Sequence, residues 1–280
     1  MPTYSFDNID VLVNRTGIMC ESATLSSQNT LKPLYAIGYK GVKNQIPSGP
    51  ITNNLSFSYI IDTDNDPNYK ILTGIINSTG DYFPSVLEMG GITGTYYLDS
   101  FSFKSNPNEI IKGNANYISF LPLTGELISK TNDFNYNTGG FTGIAHGWIT
   151  YINSEQDPTQ TPLFDLDYGF KANWEPTYIL GKKYPLQVNF QGGQIDVSFN
   201  SDLYKPIFFS GQDIRNYYNI TGINIDIYSL GLSVGSRYNV LEFNFSGAQI
   251  KNIQIENKLD NITRINVQGT KYIWLWNQTK

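Results

Sequence analysis

The chain has 280 residues, with 19 Lys and Arg against 24 Asp and Glu, a formal charge of −5, and only 15% charged residues beside 20 Tyr and 16 Phe. The acidic balance argues against a sequence-independent nucleic-acid binder, which needs a basic stripe to displace counterions. The single cysteine, Cys20, excludes an internal disulfide and a cysteine-ligated zinc. The start MPTYSFDNID has neither the basic opening nor the apolar run of a signal peptide. No run of about 20 apolar residues would span a membrane. A soluble protein made in a cytoplasm is expected, and its low charge suits extended protein contacts better than a freely diffusing enzyme.

Along the chain, period-two alternation predicts strands at Asp10–Val13, Leu55–Ile60, Leu98–Phe103, Gly147–Ile152, Ile223–Tyr228, Leu241–Phe245, Ile250–Ile255 and Ile262–Val267. Turn clusters stand at Pro47–Pro50, Asn106–Asn108, Thr138–Gly140 and Gln191–Gly193. Strands with such punctuation predict a sandwich or barrel. Helix signals are few. Pro84–Met89 has Pro at a first helical position and Gly90 as a stop, and Ser210 is placed to cap Gln212–Tyr218. The closing Tyr272–Trp276 reads as a last strand, the alternative being an aromatic arm that docks Trp274 and Trp276 on a neighbour.

The segment Asn29–Lys40, NTLKPLYAIGYK, recurs 143 positions later as Ala172–Lys183, ANWEPTYILGKK. Pro33 meets Pro176, Tyr35 meets Tyr178, Gly38 meets Gly181 and Lys40 meets Lys183. Leu55–Tyr59 then matches Ile195–Phe199, Tyr69–Gly74 matches Tyr204–Gly211, and Leu98–Phe103 matches Ile250–Ile255. A period this long is a whole domain. The expectation is all-β, mainly β with one short helix per copy, as two tandem antiparallel β-sandwich or barrel domains from an internal duplication. The boundaries fall at 1–123, a polar Gly-rich linker at 124–143, and 144–280.

Catalytic signatures are thin. His146 is the lone histidine, and no nucleophile motif accompanies it. Gly90–Gly94 lacks the Lys-Ser/Thr of a phosphate loop. Asp62, Asp64 and Asp66 copy the start of a calcium loop, but Pro67 stands at the glycine position and Thr73 at the bidentate-Glu position. A solvated turn is the plainer account of that cluster. No catalytic, cofactor or metal site is expected.

The opening order Ile9–Val13, Glu21–Ser26, Asn29–Pro33, Tyr35–Gly38, Gln45–Pro50 and Leu55–Ile60 resembles that of structural proteins of tailed bacteriophages, in particular tail tube and related ring-forming virion proteins. The resemblance implies a β-sandwich unit with one helix, six units to a ring, and rings stacked around the DNA path. With two units per chain a trimer gives a pseudo-sixfold ring; one unit's worth per position would need a hexamer. The implied partners are further copies of the chain, other phage structural proteins, and genomic DNA passing through a lumen without specific binding. No membrane contact is implied. The implied setting is the virion, assembled in the host cytoplasm. A neck, tail-terminator or baseplate ring protein is the nearest alternative. The long hairpins Tyr39–Asn54 and Lys182–Gln194 are expected to reach a neighbouring ring through Gln45, Ile46, Pro47, Ser48, Gly49 and Pro50 and through Phe190, Gln191, Gly192 and Gly193. A carbohydrate- or receptor-binding module is a reading of another class, and under it Trp148, Trp174, Trp274 and Trp276 are the residues of interest.

Overall fold

Fourteen strands and one helix follow one another in the computed structural model, which describes residues 10–38, 40–61, 66–77, 84–106, 109, 111–127, 148–154, 157–180, 182–202, 224–230, 237–244, 249–256 and 264–273. The strands of the first half are β1 (Val11–Val13), β2 (Thr16–Ile18), β3 (Cys20–Leu34), β4 (Asn44–Ile60), β5 (Ser85–Met89), β6 (Ile92–Ser105) and β7 (Lys112–Ser119), with α1 (Pro67–Asn77) between β4 and β5. Those of the second half are β8 (Trp148–Ser154), β9 (Asp157–Thr177), β10 (Gln187–Asp202), β11 (Asn224–Leu230), β12 (Arg237–Asn244), β13 (Gln249–Glu256) and β14 (Arg264–Ile273). All pairing is antiparallel.

The main sheet has the order β3-β4-β7-β6-β9-β10-β14-β13. Its two four-strand runs, β3-β4-β7-β6 and β9-β10-β14-β13, are built alike: a long hairpin, then a second hairpin whose later strand lies beside the first. Two flanking sheets also share an order. One is β2-β1-β5 joined to residues 92–96 of β6, and the other is the start of β9 joined to β8-β11-β12.

The irregularities coincide as well. The β6–β7 ladder skips Asp99 between Leu98 and Ser100, and the β13–β14 ladder skips Lys251 between Ile250 and Asn252. The β3–β4 ladder skips Glu21 between Cys20 and Ser22, and β9 skips Phe164 between Leu163 and Asp165 against β10. A bulge inserts one residue and resets which side chains point inward. In β6 the buried residues accordingly run Tyr96, Leu98, then Phe101 and Phe103.

One face of the main sheet carries the core. Leu55, Phe57 and Tyr59 alternate inward on β4, Ala115 and Tyr117 on β7, Leu166, Tyr168 and Phe170 on β9, and Ile195, Val197 and Phe199 on β10. Leu72 and Ile75 of α1 lie in the same cluster. Gly113 is needed there, because a Cβ on it would stand 2.8 Å from Tyr59 Cε1.

Three expectations are corrected. Pro84–Met89 is not a helix: Ser85–Met89 is strand β5, held between β1 and β6 with Ser85 and Leu87 buried. The helix is instead Pro67–Asn77, where Asp66 accepts from the backbone N–H of Asn68 at 2.7 Å and Pro67 occupies the first turn. Pro47–Pro50 and Gln191–Gly193 are not hairpin turns but lie within β4 and β10. The second expected helix, Gln212–Tyr218, residues 128–143 of the expected 124–143 linker, His146, and Asp62 and Asp64 lie outside the described residues.

Candidate assembly surface

The junction between the two halves is a pairing of β6 with β9. Ser100 to Ser105 run opposite Lys171 to Leu166, one residue at a time. On the core face Phe103 stacks on Tyr168 with ring centroids 5.3 Å apart, and both are buried. Just beyond the ladder Trp174 packs on Tyr97 at 4.9 Å and on Phe190 at 5.0 Å, while its Nε1 donates to the Leu98 carbonyl at 2.8 Å. On the outer face Lys104 Nζ meets Asp167 Oδ2 at 2.7 Å, and this bond raises the lysine pKa. Main-chain pairing, aromatic stacking and a cross-strand ion pair all act at this one seam.

The outer face of the main sheet is polar and its charges are matched. Lys112 meets Glu21 at 2.7 Å, and Lys251 meets Asp196 at 2.7 Å. Burial would raise the Asp196 pKa, but bonds from Lys251, Gln194 and Thr270 outweigh it, so the carboxyl is held below its usual range. Amides extend the ladder sideways: Asn266 Nδ2 donates to Asn200 Oδ1 at 3.0 Å, and Asn200 Nδ2 donates to Asp165 Oδ2 at 2.7 Å. Asn116 Nδ2 donates to Ser100 Oγ at 2.8 Å. Two shallow grooves here are lined by groups such as Ser102, Asp167, Asp196 and Lys251 in one and Ser58, Lys104, Glu109 and Asn114 in the other. These are solvated, mutually neutralised side chains, with no arrangement of acid, base and nucleophile.

The sheet has two open edges. Among the described residues β3 pairs only with β4, and β13 only with β14. On β3 the residues Glu21, Ser22, Thr24 and Ser26–Asn29 are exposed, and Ala23 and Leu25 are half-buried. On β13 Ile253 is half-buried and Ile255 is 50% exposed, whereas Phe101 and Phe103, which hold the same places in β6, are each 1% exposed. An unpaired strand of this length presents a row of N–H and C=O groups to any chain that can match it.

The expected assembly residues are dispersed. Gln45 and Pro50 are exposed on β4, with Ile46 opposite Lys32 and Pro47 opposite Leu31; Ser48 and Gly49 continue the same strand. Phe190 is buried in the core, Gln191 is the residue the β9–β10 ladder skips and bonds Glu175 at 2.6 Å, and Gly192 and Gly193 pair with Asn173 and Ala172. The hairpin ends lie instead at residues 35–43 and 178–186. Trp274 and Trp276 lie outside the described residues, as β14 ends at Ile273. Trp174 is committed to the seam. Sequence reasoning passed over β13 as an edge because alternation reveals a strand but not its neighbours.

Asp66 lies 7% exposed beneath α1. Burial pushes its carboxyl up to about 6, with the Tyr59 hydroxyl and the Asn68 and Tyr69 backbone amides pulling the other way. Tyr117 donates to Asn68 Oδ1 at 2.6 Å. The thiol of Cys20, pushed up to about 12 by burial, is a poor nucleophile. Among the described residues no cluster of three His, Cys, Asp or Glu is placed to hold a metal, and no helix is long and apolar enough to cross a membrane.

No protein-family model matches the chain, and no curated protein matches it.

Proposed function

We propose that this chain is a non-enzymatic structural protein that assembles with further copies of itself by sheet-edge pairing, its two halves being copies of one unit from an internal duplication. The observation that carries this reading is the β6–β9 seam. It joins the last strand of one four-strand run to the first strand of the next, and the free edges β13 and β3 are the same two positions one run along. A second molecule placed head-to-tail would repeat inside the assembly the contact that each chain already makes within itself. Such an interface is heterologous, so it closes into a ring or grows without end depending on the rotation per step.

The matched ladders fix the register of the proposed contact. Position for position, Ser100, Phe101, Ser102, Phe103 and Lys104 correspond to Asn252, Ile253, Gln254, Ile255 and Glu256. Lys171 back to Asp167 likewise correspond to Gln28 back to Thr24. Asn252 would then face Gln28 of the next copy, Gln254 would face Ser26, and Ile255 would cover Leu25. Pairing of this kind supplies main-chain hydrogen bonds for affinity and aliphatic burial for fit.

The particle setting, a tailed-phage tail tube or a neck, terminator or baseplate ring, is supported by the resemblance in the opening hundred residues. With eight main-sheet strands per chain, three chains give a pseudo-sixfold ring. The matched charges of the polar face suit a lumen that neither grips nor repels passing DNA strongly. Light scattering followed by negative-stain imaging of the purified chain tests the reading. Rings or tubes of three or six chains support it; a monodisperse monomer across a wide concentration range sinks it.

A further inference from the structure

We propose that the two hairpin ends form a docking surface for an anionic lipid bilayer. β3 and β9 run in the same direction, because they are separated by an even number of antiparallel steps, so both hairpins project from one rim of the main sheet. Four strand spacings place them roughly 19 Å apart. Each continues past the sheet body as a two-stranded ribbon: β3–β4 pairing persists to Leu34 opposite Asn44, and β9–β10 pairing to Thr177 opposite Gln187.

The two ribbons hold nine of the thirteen large exposed hydrophobic side chains among the described residues. Ile37 and Leu180, at equivalent places in the two turns, are fully exposed, and Tyr35 and Leu186 are 72% and 66% exposed. The charge is one-sided. Lys32, Lys40 and Lys43 on the first ribbon and Lys182 and Lys183 on the second are all exposed. The only acid, Glu175, lies near the base of the second ribbon, where Gln191 bonds it. A chain of net charge −5 thus gathers a basic, apolar pair of tips on one rim.

Each turn sets exposed apolar side chains beside lysines, a combination suited to a bilayer surface, where a hydrocarbon boundary lies under phosphates. Each turn is closed at its foot, where the Lys43 N–H donates to the Leu34 carbonyl at 2.8 Å and the Leu186 N–H to the Thr177 carbonyl at 2.8 Å. A second copy of the chain fits less well. Among the described residues the grooves on the polar face are hydrophilic, and the large exposed apolar groups outside the ribbons are Val86 on β5, Leu127 after β7, Ile255 on β13 and Tyr272 on β14. Interfacial docking needs no spanning helix, so the absence of an apolar run in the sequence does not bear on it.

The test is co-sedimentation of the full chain with vesicles of phosphatidylcholine alone and with about a third phosphatidylglycerol. The expected result is binding to the anionic vesicles that weakens as salt is raised and falls by roughly tenfold or more in the Ile37→Asp/Leu180→Asp chain. A Lys40→Gln/Lys43→Gln/Lys182→Gln/Lys183→Gln chain should lose the preference for anionic lipid. The substituted sites are exposed, and an unchanged far-ultraviolet circular dichroism spectrum checks folding. Failure of the wild-type chain to bind anionic vesicles overturns the proposal, as does binding unchanged by Ile37→Asp/Leu180→Asp. If vesicles are never bound and those changes instead abolish self-association, the tips serve another copy and the proposal is likewise overturned. Ring formation is read separately, so either reading can fail alone.

Discussion

Replacing Asp66 with Asn isolates a charge that the fold holds at a cost. The carboxyl is buried, and its pKa rises from 3.8 to about 6. At 1.36 kcal/mol per pH unit this corresponds to about 3 kcal/mol. Because the folded value lies above the unfolded one, the contribution is fully present below about pH 4. It is lost as pH rises toward and through 6. Asn keeps the helix cap, since its side-chain oxygen can accept from the same backbone N–H groups that Asp66 serves. Urea unfolding of both chains from pH 4 to pH 8 should therefore give nearly equal stabilities at the acid end. Above pH 7 the Asp66→Asn chain should be more stable by up to about 3 kcal/mol. Other titrating groups are common to both proteins and cancel in the difference. A difference that stays flat across the range, or grows toward acid, would refute the assignment of the shift to burial.

Three further changes probe packing. Tyr117→Phe removes the donor to Asn68 Oδ1 and should destabilise by about 1–3 kcal/mol in denaturant titration, because the amide oxygen is left buried and unpaired. Gly113→Ala puts a methyl against the Tyr59 ring and should lower stability by about 1–3 kcal/mol; a gain would show that the site has slack. Lys104→Ala, by contrast, breaks only an exposed pair with Asp167 and should leave the denaturant midpoint nearly unchanged.

The strands were legible wherever one face is solvated, because alternation in Leu55–Ile60 and Leu98–Phe103 is written directly by burial on the other face. Leu25 and Tyr168, 143 residues apart, stand opposite Leu55 and Val197 in their respective ladders. By ladder position Leu55 lines up with Val197 rather than with Ile195, a slip of two that alternation cannot distinguish. The helix was misplaced for a different reason. Pro84 and Gly90 resemble helix flanks, yet Ser85–Met89 gains a partner on each side. The real signals were Asp66 as cap, Pro67 behind it, and Ile71, Leu72, Ile75 and Ile76 at helical spacing. The aspartate cluster drew them toward a loop reading. The β1–β2 turn was equally opaque, for Asn14 and Arg15 both adopt positive φ without the expected glycine. The candidate assembly surface was legible only as strands, since which edges stay open depends on pairing between residues 61 to 71 positions apart.

The central claim is the pairing of β13 with β3 of another copy, and a disulfide trap tests it most directly. Ser26→Cys and Gln254→Cys are introduced together into a Cys20→Ser chain, oxidised, and run on a denaturing gel without reductant. The account predicts a ladder of covalent dimers and trimers that reductant collapses. The mismatched pair Ser26→Cys with Lys251→Cys should give little of it. Chains that stay monomeric under oxidation, or cross-link equally well in both pairings, would contradict the edge-to-edge register.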